Sequence, residues 1–309
     1  MSALYALESV RQPLISSVMS AVTYLGSEIA FMVVALILYW CVDKKHGLTV
    51  LCVGFFGTLV NEFLKLAFRI PRPWVKDPSF TIVESAREGA GGYSFPSGHT
   101  ATAAGCYGTL TLTARKAGWR ILWLALIAVT GFSRLYLGVH TPADVAVGLV
   151  IGLASAFGVW ALFRRIGNRP GFRYVLLGVM LALSVAYTVY METHIWPADI
   201  DAPNLASGTK NGWTLMGCSA AMLIAVFADD RFLRFPTKAL LAGQIPKVVL
   251  GLALTMALRM VLKQPLNALF GGSGVATAVR YFIMVLFAGA IWPVTFPLWQ
   301  KLGRKKHRQ

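Results

Sequence analysis

Charged residues are scarce in this chain, and their scarcity excludes an ordinary soluble protein. Only 14% of the 309 residues are Asp, Glu, Lys or Arg, whereas 56% are hydrophobic. Apolar runs long enough to cross about 30 Å of hydrocarbon recur throughout the sequence. We therefore predict an all-α, polytopic membrane helix bundle. Its transmembrane helices, about nine in number, are expected near residues 24–41, 48–68, 99–114, 119–137, 143–163, 173–192, 212–228, 239–262 and 278–299.

Cysteines and acidic residues are also few, which limits the metal and redox chemistry open to the protein. No C-x-x-C pattern joins any of the four cysteines, so they are predicted to be packed thiols. The 13 acidic residues form no cluster in the sequence that suits Mg²⁺. We predict that the protein needs no metal and no other cofactor.

The N-terminus lacks the basic segment that opens a secretory signal peptide, so no cleavable signal is predicted. Residues 1–22 instead mix apolar side chains, such as Leu4 and Leu14, with polar ones. This mixture favours a helix that lies in the membrane interface over one that spans the membrane.

The net charge of +16 is distributed in a way that predicts the membrane topology. Basic residues gather in every second loop between the predicted spans, at Lys44–Lys45, Arg115–Arg120, Arg164–Arg173, Arg231–Lys238 and Lys301–Arg308. By the positive-inside rule these loops and the C-terminus are cytoplasmic. An anionic leaflet is a sufficient partner for the clusters, so no nucleic-acid partner is predicted. We expect a multi-pass protein of the cell (plasma) membrane.

Three polar clusters fall on the opposite, extracytoplasmic face of this topology. They are Lys65–Pro73, Pro96–His99 and Ser133–Asp144. Each has an ordinary explanation when taken alone: a headgroup-binding helix end, a turn before a helix, or a hydrogen-bonded interface histidine. Polar and ionisable groups at the ends of spans are costly, however, and three such clusters at one membrane face favour a functional site.

The side chains of these clusters suit a phosphate. Lys65, Arg72 and Arg134 match a tetrahedral anion that carries two or more negative charges. Ser97 and Gly98 precede a predicted helix, where backbone N–H groups can approach an oxygen of the anion. The predicted ligand is therefore a phosphate, bound by all five residues.

Two histidines and an aspartate supply the reactive groups. Asp144 follows His140 by four residues and can either complete a capping box with Thr141 or orient the imidazole; we favour the orienting role. His140 is then the predicted nucleophile. His99 opens a different helix, so it can protonate a leaving group from another side.

The three clusters resemble the signature motifs of the type-2 phosphatidic acid phosphatase superfamily. They read Lys-x₆-Arg-Pro (Lys65–Pro73), Pro-Ser-Gly-His (Pro96–His99) and Ser-Arg-x₅-His-x₃-Asp (Ser133–Asp144). The resemblance covers residues 20 to 165. It implies a helical core, metal independence and a phosphohistidine on His140, with His99 as acid and later as base.

Together with the hydropathy pattern, the resemblance predicts three regions of the chain and its activity. We predict an interfacial helix at 1–22, a phosphatase core at 23–168 and additional transmembrane helices of unknown role at 169–309. The 193–211 loop can shape substrate entry, although a solvated connector is favoured. The predicted activity is hydrolysis of lipid phosphates or pyrophosphates, such as undecaprenyl pyrophosphate, at the extracytoplasmic face. A lipid phosphotransferase and a lipid-phosphate transporter or binding protein are the alternatives.

Overall fold

The computed structural model describes residues 1–169 and 171–302, and every regular element in those ranges is a helix. The α-helices are α1 (Ser2–Ser9), α2 (Pro13–Thr23), α3 (Glu28–Ile37), α4 (Lys44–Phe68), α5 (Pro73–Lys76), α6 (Gly98–Thr113), α7 (Ala117–Tyr136), α8 (Pro142–Ile166), α9 (Phe172–Thr193), α10 (Ala202–Ala228), α11 (Leu241–Val261), α12 (Lys263–Leu269), α13 (Gly274–Leu286) and α14 (Phe296–Lys301). Short 3₁₀ segments cover Tyr24–Gly26, Glu84–Ala86 and Trp292–Thr295, and π-helical turns cover Leu38–Val42, Asp229–Leu233 and Phe287–Ile291. The predicted cytoplasmic residues Arg304, Lys305, Lys306 and Arg308 lie outside the described ranges.

The helices confirm an all-α, polytopic membrane protein but do not confirm nine spans. Within the described residues, 7 helices are long and apolar enough to cross a membrane, or up to 8 if a bent pair counts as one span. That pair, Pro13–Gly26 with Glu28–Val42, bends by 51°. The remaining predicted span, 99–114, corresponds to α6. Its 16 residues rise only about 24 Å, which is short of the hydrocarbon thickness.

The described chain divides into two compact units. The first contains Met1–Val34, Thr49–Ile166 and Trp196–Gly208; the second contains Ala35–Leu48 and the described parts of Gly167–Ile195 and Thr209–Gln309. Residues 196–208 thus belong with the first unit, although they follow α9 in the sequence. All three polar clusters singled out in the sequence lie in this first unit.

The core of the first unit is built around α6, which packs against α7 and α8. Nearly every residue of α6 from Thr100 to Thr109 is buried, because small side chains let the neighbouring helices approach closely. Gly148 and Gly152 of α8 face the α6 backbone so closely that neither position has room for a Cβ atom. This contact brings the first turn of α8 beside the first turn of α6.

The second unit buries a lysine that has no carboxylate partner among the residues that the structure describes. Lys247 of α11 is 1% exposed, and its ammonium group donates to the carbonyl oxygens of Trp40 (3.0 Å) and Thr237 (3.2 Å). The same group lies 4.6 Å from the ring centroid of Phe296. Two carbonyls and an aromatic face replace the water that the ammonium group loses on burial.

Candidate active site

In the first cluster, Lys65–Pro73, the chain changes direction after the end of α4. Lys65 lies in the last turn of α4, and the Arg69 N–H donates to its carbonyl oxygen at 2.9 Å. Arg69 has φ of 48°, a left-handed conformation that stops a helix and redirects the chain. Arg72 follows in extended conformation immediately before α5, and its side chain is buried.

The Arg72 guanidinium group contacts the imidazole of His140 directly. Its Nη1 donates to the Nε2 of His140 at 2.9 Å and to the Val139 carbonyl at 3.0 Å. Its Nε and Nη2 donate to the carbonyl oxygens of Gly92 (3.0 Å) and Gly91 (2.7 Å). A guanidinium group only donates, so Nε2 of His140 is the acceptor and carries a lone pair. Nη1 also lies 3.5 Å from Nδ1, but the shorter contact is to Nε2, so we assign the proton of the neutral ring to Nδ1.

Asp144 lies on the Nδ1 side of that ring. Its Oδ2 is 3.5 Å from Nδ1 of His140, and it accepts hydrogen bonds from the Ser94 hydroxyl (2.6 Å) and the Thr141 N–H (2.8 Å). The Asp144 N–H in turn donates to the Thr141 hydroxyl at 3.3 Å, which completes a capping box. The sequence posed capping and orientation as alternatives, but one carboxylate is placed for both.

Burial and neighbouring cations keep the His140 imidazole neutral. The side chain is 2% exposed, and burial lowers its pKa well below the ordinary 6.5. Arg72, Arg134 and Lys65 lower the pKa further, because a second positive charge among them is unfavourable. The ring is therefore neutral at pH 7, the form in which a histidine acts as a nucleophile.

The second cluster forms the start of α6. Ser97 caps the helix, its hydroxyl accepting from the Thr100 N–H at 3.4 Å, while its own N–H donates to the Asp144 carbonyl at 2.9 Å. That N–H is already bound, so a phosphate contact by Ser97 would have to use its hydroxyl. The imidazole of His99 interacts electrostatically with the positive charges of Arg134, Arg72 and Lys65.

Arg134 lies deep in the first unit with unused hydrogen-bond donors. It is 1% exposed, and its Nη1 donates to the Thr23 hydroxyl at 2.6 Å. Its Nε and Nη2 are buried and have no partner within the described residues. A buried cation with unpaired donors is costly and suits an anion that supplies the missing acceptors.

Lys65 faces the same region from α4. Its ammonium group lies 3.4 Å from where a Cβ of Gly92 would be and 3.9 Å from the equivalent point at Gly98. It also pairs with Oε1 of Glu62 at 3.0 Å. The structure thus brings all the predicted site residues into one unit. Sequence reasoning missed Glu62 and Ser94, since neither belongs to a motif.

A cavity of about 660 Å³ opens beside Arg72. One wall comes from the segment between α4 and α6, and the other from residues 199–207. Its lining is Arg69, Pro71, Arg72, Trp74, Val75, Ala90, Gly91, Gly92, Tyr93, Asp199, Ile200, Asp201, Pro203, Asn204 and Ser207. The 193–211 loop was favoured as a solvated connector, but part of it forms this wall.

The described residues contain no group of three or more His, Cys, Asp or Glu side chains that could hold a metal ion. The cations Lys65, Arg72 and Arg134 instead supply the positive charge of the site. Metal independence of the reaction stays a prediction.

Comparison with known proteins identifies two matching family models. The PAP2 superfamily model matches residues 45–168, and the model described as "PAP2 superfamily phosphatase, transmembrane extension" matches residues 213–304. The second match covers helices in which the sequence revealed no motif. No solved structure matches the chain.

Several curated proteins are similar to about half of the chain. Undecaprenyl-diphosphatase BcrC of Bacillus subtilis (strain 168) is 32% identical over 148 residues, 46% of this chain and 74% of the relative. Phosphatidylglycerophosphatase B of the same organism is 31% identical over 163 residues, 48% of this chain and 75% of the relative. Lipid A 4'-phosphatase of Bacteroides thetaiotaomicron is 31% identical over 166 residues, 50% of this chain and 71% of the relative. With these relatives matched over most of their own length, the chain belongs to the PAP2 superfamily of phosphatases.

Proposed function

We propose that this protein removes a terminal phosphate from membrane lipids through a phosphohistidine formed on Nε2 of His140. The observation that carries the proposal is the buried arrangement of Arg72, His140 and Asp144. It leaves the ring neutral, with a lone pair on Nε2 and a proton on Nδ1. An orienting carboxylate behind a histidine is a recurring device of covalent catalysis.

Phosphate binding exposes the nucleophile. In the structure Arg72 donates to Nε2 of His140. A phosphate oxygen within reach of Arg72 takes over this hydrogen bond, which frees the Nε2 lone pair. Arg134 and Lys65 then hold further oxygens, and the unpaired Nε and Nη2 of Arg134 gain acceptors.

The reaction proceeds in two displacements. Nε2 of His140 forms a bond to phosphorus while the bond to the leaving oxygen breaks. His99, which takes up a proton when the anionic phosphate offsets the neighbouring cations, donates that proton to the leaving oxygen. Asp144 stabilises the positive ring through Nδ1–H. Water then attacks the phosphohistidine and gives a proton to His99, and the phosphorus–nitrogen bond breaks. Inorganic phosphate and the neutral imidazole result.

The substrate class is a membrane lipid with a terminal phosphate. The names of the relatives refer to undecaprenyl diphosphate, phosphatidylglycerophosphate and lipid A, which share this feature. The seven or eight candidate spans in the described residues place the protein in the membrane where such lipids lie. We assign the cavity beside Arg72 to the approach of the headgroup.

The location of the site follows from the loop charges. The basic loops are cytoplasmic by the positive-inside rule, so the site faces the opposite side of the plasma membrane. The C-terminus lies on the cytoplasmic side in this arrangement.

Phosphate release by the purified protein in detergent tests the function. The assay uses a panel of undecaprenyl diphosphate, phosphatidate and phosphatidylglycerophosphate, each with and without EDTA. We expect release of free phosphate, and the amount released should be the same with EDTA as without it. His140→Ala is expected to abolish release. His46→Ala is the matched control, because His46 is exposed and its ring pairs with Asp43, outside the candidate site.

Alternative activities give different outcomes in the same assay. Alkaline quenching of the wild-type reaction should trap labelled phosphate on His140, since phosphohistidine survives alkali. A phosphotransferase would instead form a phosphorylated acceptor lipid when one is added. A transporter or binding protein would release no phosphate in detergent, and full release by His140→Ala would disprove the mechanism.

A further inference from the structure

An asparagine outside the three motifs lies one helical turn before Lys65. Asn61 of α4 is 2% exposed. Neither its Nδ2 nor its Oδ1 has a hydrogen-bond partner within the described residues. Because most buried side-chain polar atoms in proteins are hydrogen-bonded, a carboxamide with both ends unpaired needs a specific explanation.

The unpaired amide is close to the start of α6. Residues four apart on a helix share a face, so Asn61 and Lys65 point in the same direction. A Cβ built on Gly98 would be 3.7 Å from Oδ1 of Asn61 and 3.9 Å from Nζ of Lys65. The amide and the ammonium group therefore border one spot beside the residue that precedes His99.

Asn61 and Arg134, both in the first unit, have buried side-chain nitrogens without hydrogen-bond partners among the described residues. Each is almost fully buried, and each keeps side-chain nitrogens without acceptors. A ligand rich in acceptor oxygens supplies what the unpaired nitrogens of both side chains lack. Phosphate is such a ligand, and its oxygens carry the negative charge that the surrounding cations require.

We propose that Asn61 is a further phosphate-binding residue, whose Nδ2 donates to the phosphoryl oxygen held by Lys65. Rotation of the carboxamide about its last torsion exchanges Nδ2 and Oδ1, so either end can face the oxygen. The ion pair between Glu62 and Lys65 keeps the ammonium group beside it. This inference rests on the proposed function for its setting, but it concerns anion binding and is testable without turnover.

The variant Asn61→Leu separates a binding role from a structural one. Leucine has nearly the shape of asparagine but no polar atoms. Removing a buried, unpaired amide should leave the melting temperature of the free protein unchanged or raise it. The affinity for orthophosphate should fall by about 10- to 100-fold, because a hydrogen bond to a charged ligand is lost. Asn61→Asp should weaken binding more, since its carboxylate repels the anion.

The measurement is a thermal-unfolding titration of the full-length protein in detergent with orthophosphate, and separately with vanadate. Thr58→Val is the control, because it removes a polar group at nearly constant shape on the same helix, further from Lys65. Its orthophosphate affinity should equal that of the wild type. Lipid phosphatase activity is measured in parallel on each variant.

Three results would overturn the proposal. One is an Asn61→Leu protein that melts lower but binds orthophosphate as tightly as the wild type, which indicates a structural role. The second is equal losses of affinity in Thr58→Val and Asn61→Leu. The third is a wild-type protein whose melting temperature does not respond to either anion. A wild type that binds phosphate through Asn61 but hydrolyses no lipid would instead contradict only the proposed function.

Discussion

Nη1 of Arg72 lies 2.9 Å from Nε2 of His140, and this contact determines how the ring is protonated. The guanidinium group has no acceptor, so Nε2 cannot carry a proton while the hydrogen bond exists. Asp144 faces the other ring nitrogen. In the proposed mechanism, Arg72 therefore both binds phosphate and sets the protonation of the nucleophile His140.

The pH profile should report this arrangement. Burial and the three cations hold the pKa of His140 well below 6.5, so protonation, which removes the nucleophile, requires strongly acidic solution. The acid limb of kcat/KM, which reports the free enzyme, should therefore lie well below pH 6.5. A profile that falls with an apparent pKa of 6.5 or above would contradict this assignment.

Substitution of Arg72 should move the acid limb. Arg72→Gln removes the nearest positive charge, so the pKa of His140 should rise and the limb should shift to higher pH. Arg72→Lys keeps a charge, and its limb should stay closer to the wild-type position. Both variants lose activity through weaker phosphate binding, but the position of the limb is independent of that loss. An identical limb in Arg72→Gln would show that this charge does not act on His140.

Asp144→Asn should impair the chemical step more than folding. The amide keeps the size of the carboxylate but cannot stabilise a positive imidazole, and it favours the wrong ring tautomer. A loss in kcat of about 10⁴-fold is expected by analogy with other orienting carboxylates. Asp77→Asn, at a carboxylate that accepts from Tyr5 and Ser79 at the surface, is the control. A loss of less than 10-fold would reduce Asp144 to a helix cap.

Much of this site could be predicted from the sequence, because its motif residues carry charges that an apolar chain tolerates only for a reason. Ser94, Glu62 and Asn61 could not be predicted in the same way. Ser94 contacts Asp144, 50 residues later in the chain, whereas Glu62 pairs with Lys65 on its own helix, and neither contact is marked by a motif. The count of nine spans was not confirmed for a related reason: α6 is apolar and buried, but hydropathy does not record that its small residues serve helix packing.

The close packing of α8 glycines against α6 should be essential for the position of Ser97 relative to Asp144. A Cβ at Gly148 would overlap the Ser97 carbonyl, next to the hydrogen bond from the Ser97 N–H to Asp144. Gly148→Ala should destabilise the protein by about 1–3 kcal/mol, because α8 must move away from α6. Gly158→Ala is the matched control, since its Cβ meets nothing within 4 Å. Alanine there should stabilise α8 by about 0.5–1 kcal/mol. Equal melting temperatures for the two variants would contradict this packing argument.

The membrane orientation can be tested by cysteine labelling. Ser79→Cys and Lys116→Cys are made in a chain without its native cysteines, at two exposed loop positions. A membrane-impermeant maleimide added to intact cells should label position 79 only. Labelling of position 116 should require permeabilised cells, because the positive-inside rule predicts that its basic loop is cytoplasmic. The reverse pattern would place the site in the cytoplasm.

The cavity beside Arg72 should affect large and small substrates differently. Ser207 lies across from Gly92, with its hydroxyl 3.9 Å from where a Cβ of Gly92 would be. In Ser207→Trp an indole occupies part of a cavity of about 660 Å³ and narrows the approach to Arg72. The value of kcat/KM should fall by about 10-fold or more for lipid phosphates, because a hindered approach costs about 1.4 kcal/mol or more of transition-state stabilisation. Hydrolysis of a small soluble phosphate ester should change little, because such an ester needs less room.

Ser207→Ala, which enlarges the cavity, should leave both activities near the wild-type values. Equal losses for both substrates in Ser207→Trp would mean that the indole disturbs the catalytic residues themselves, and the cavity would then have no separate role in admitting the headgroup.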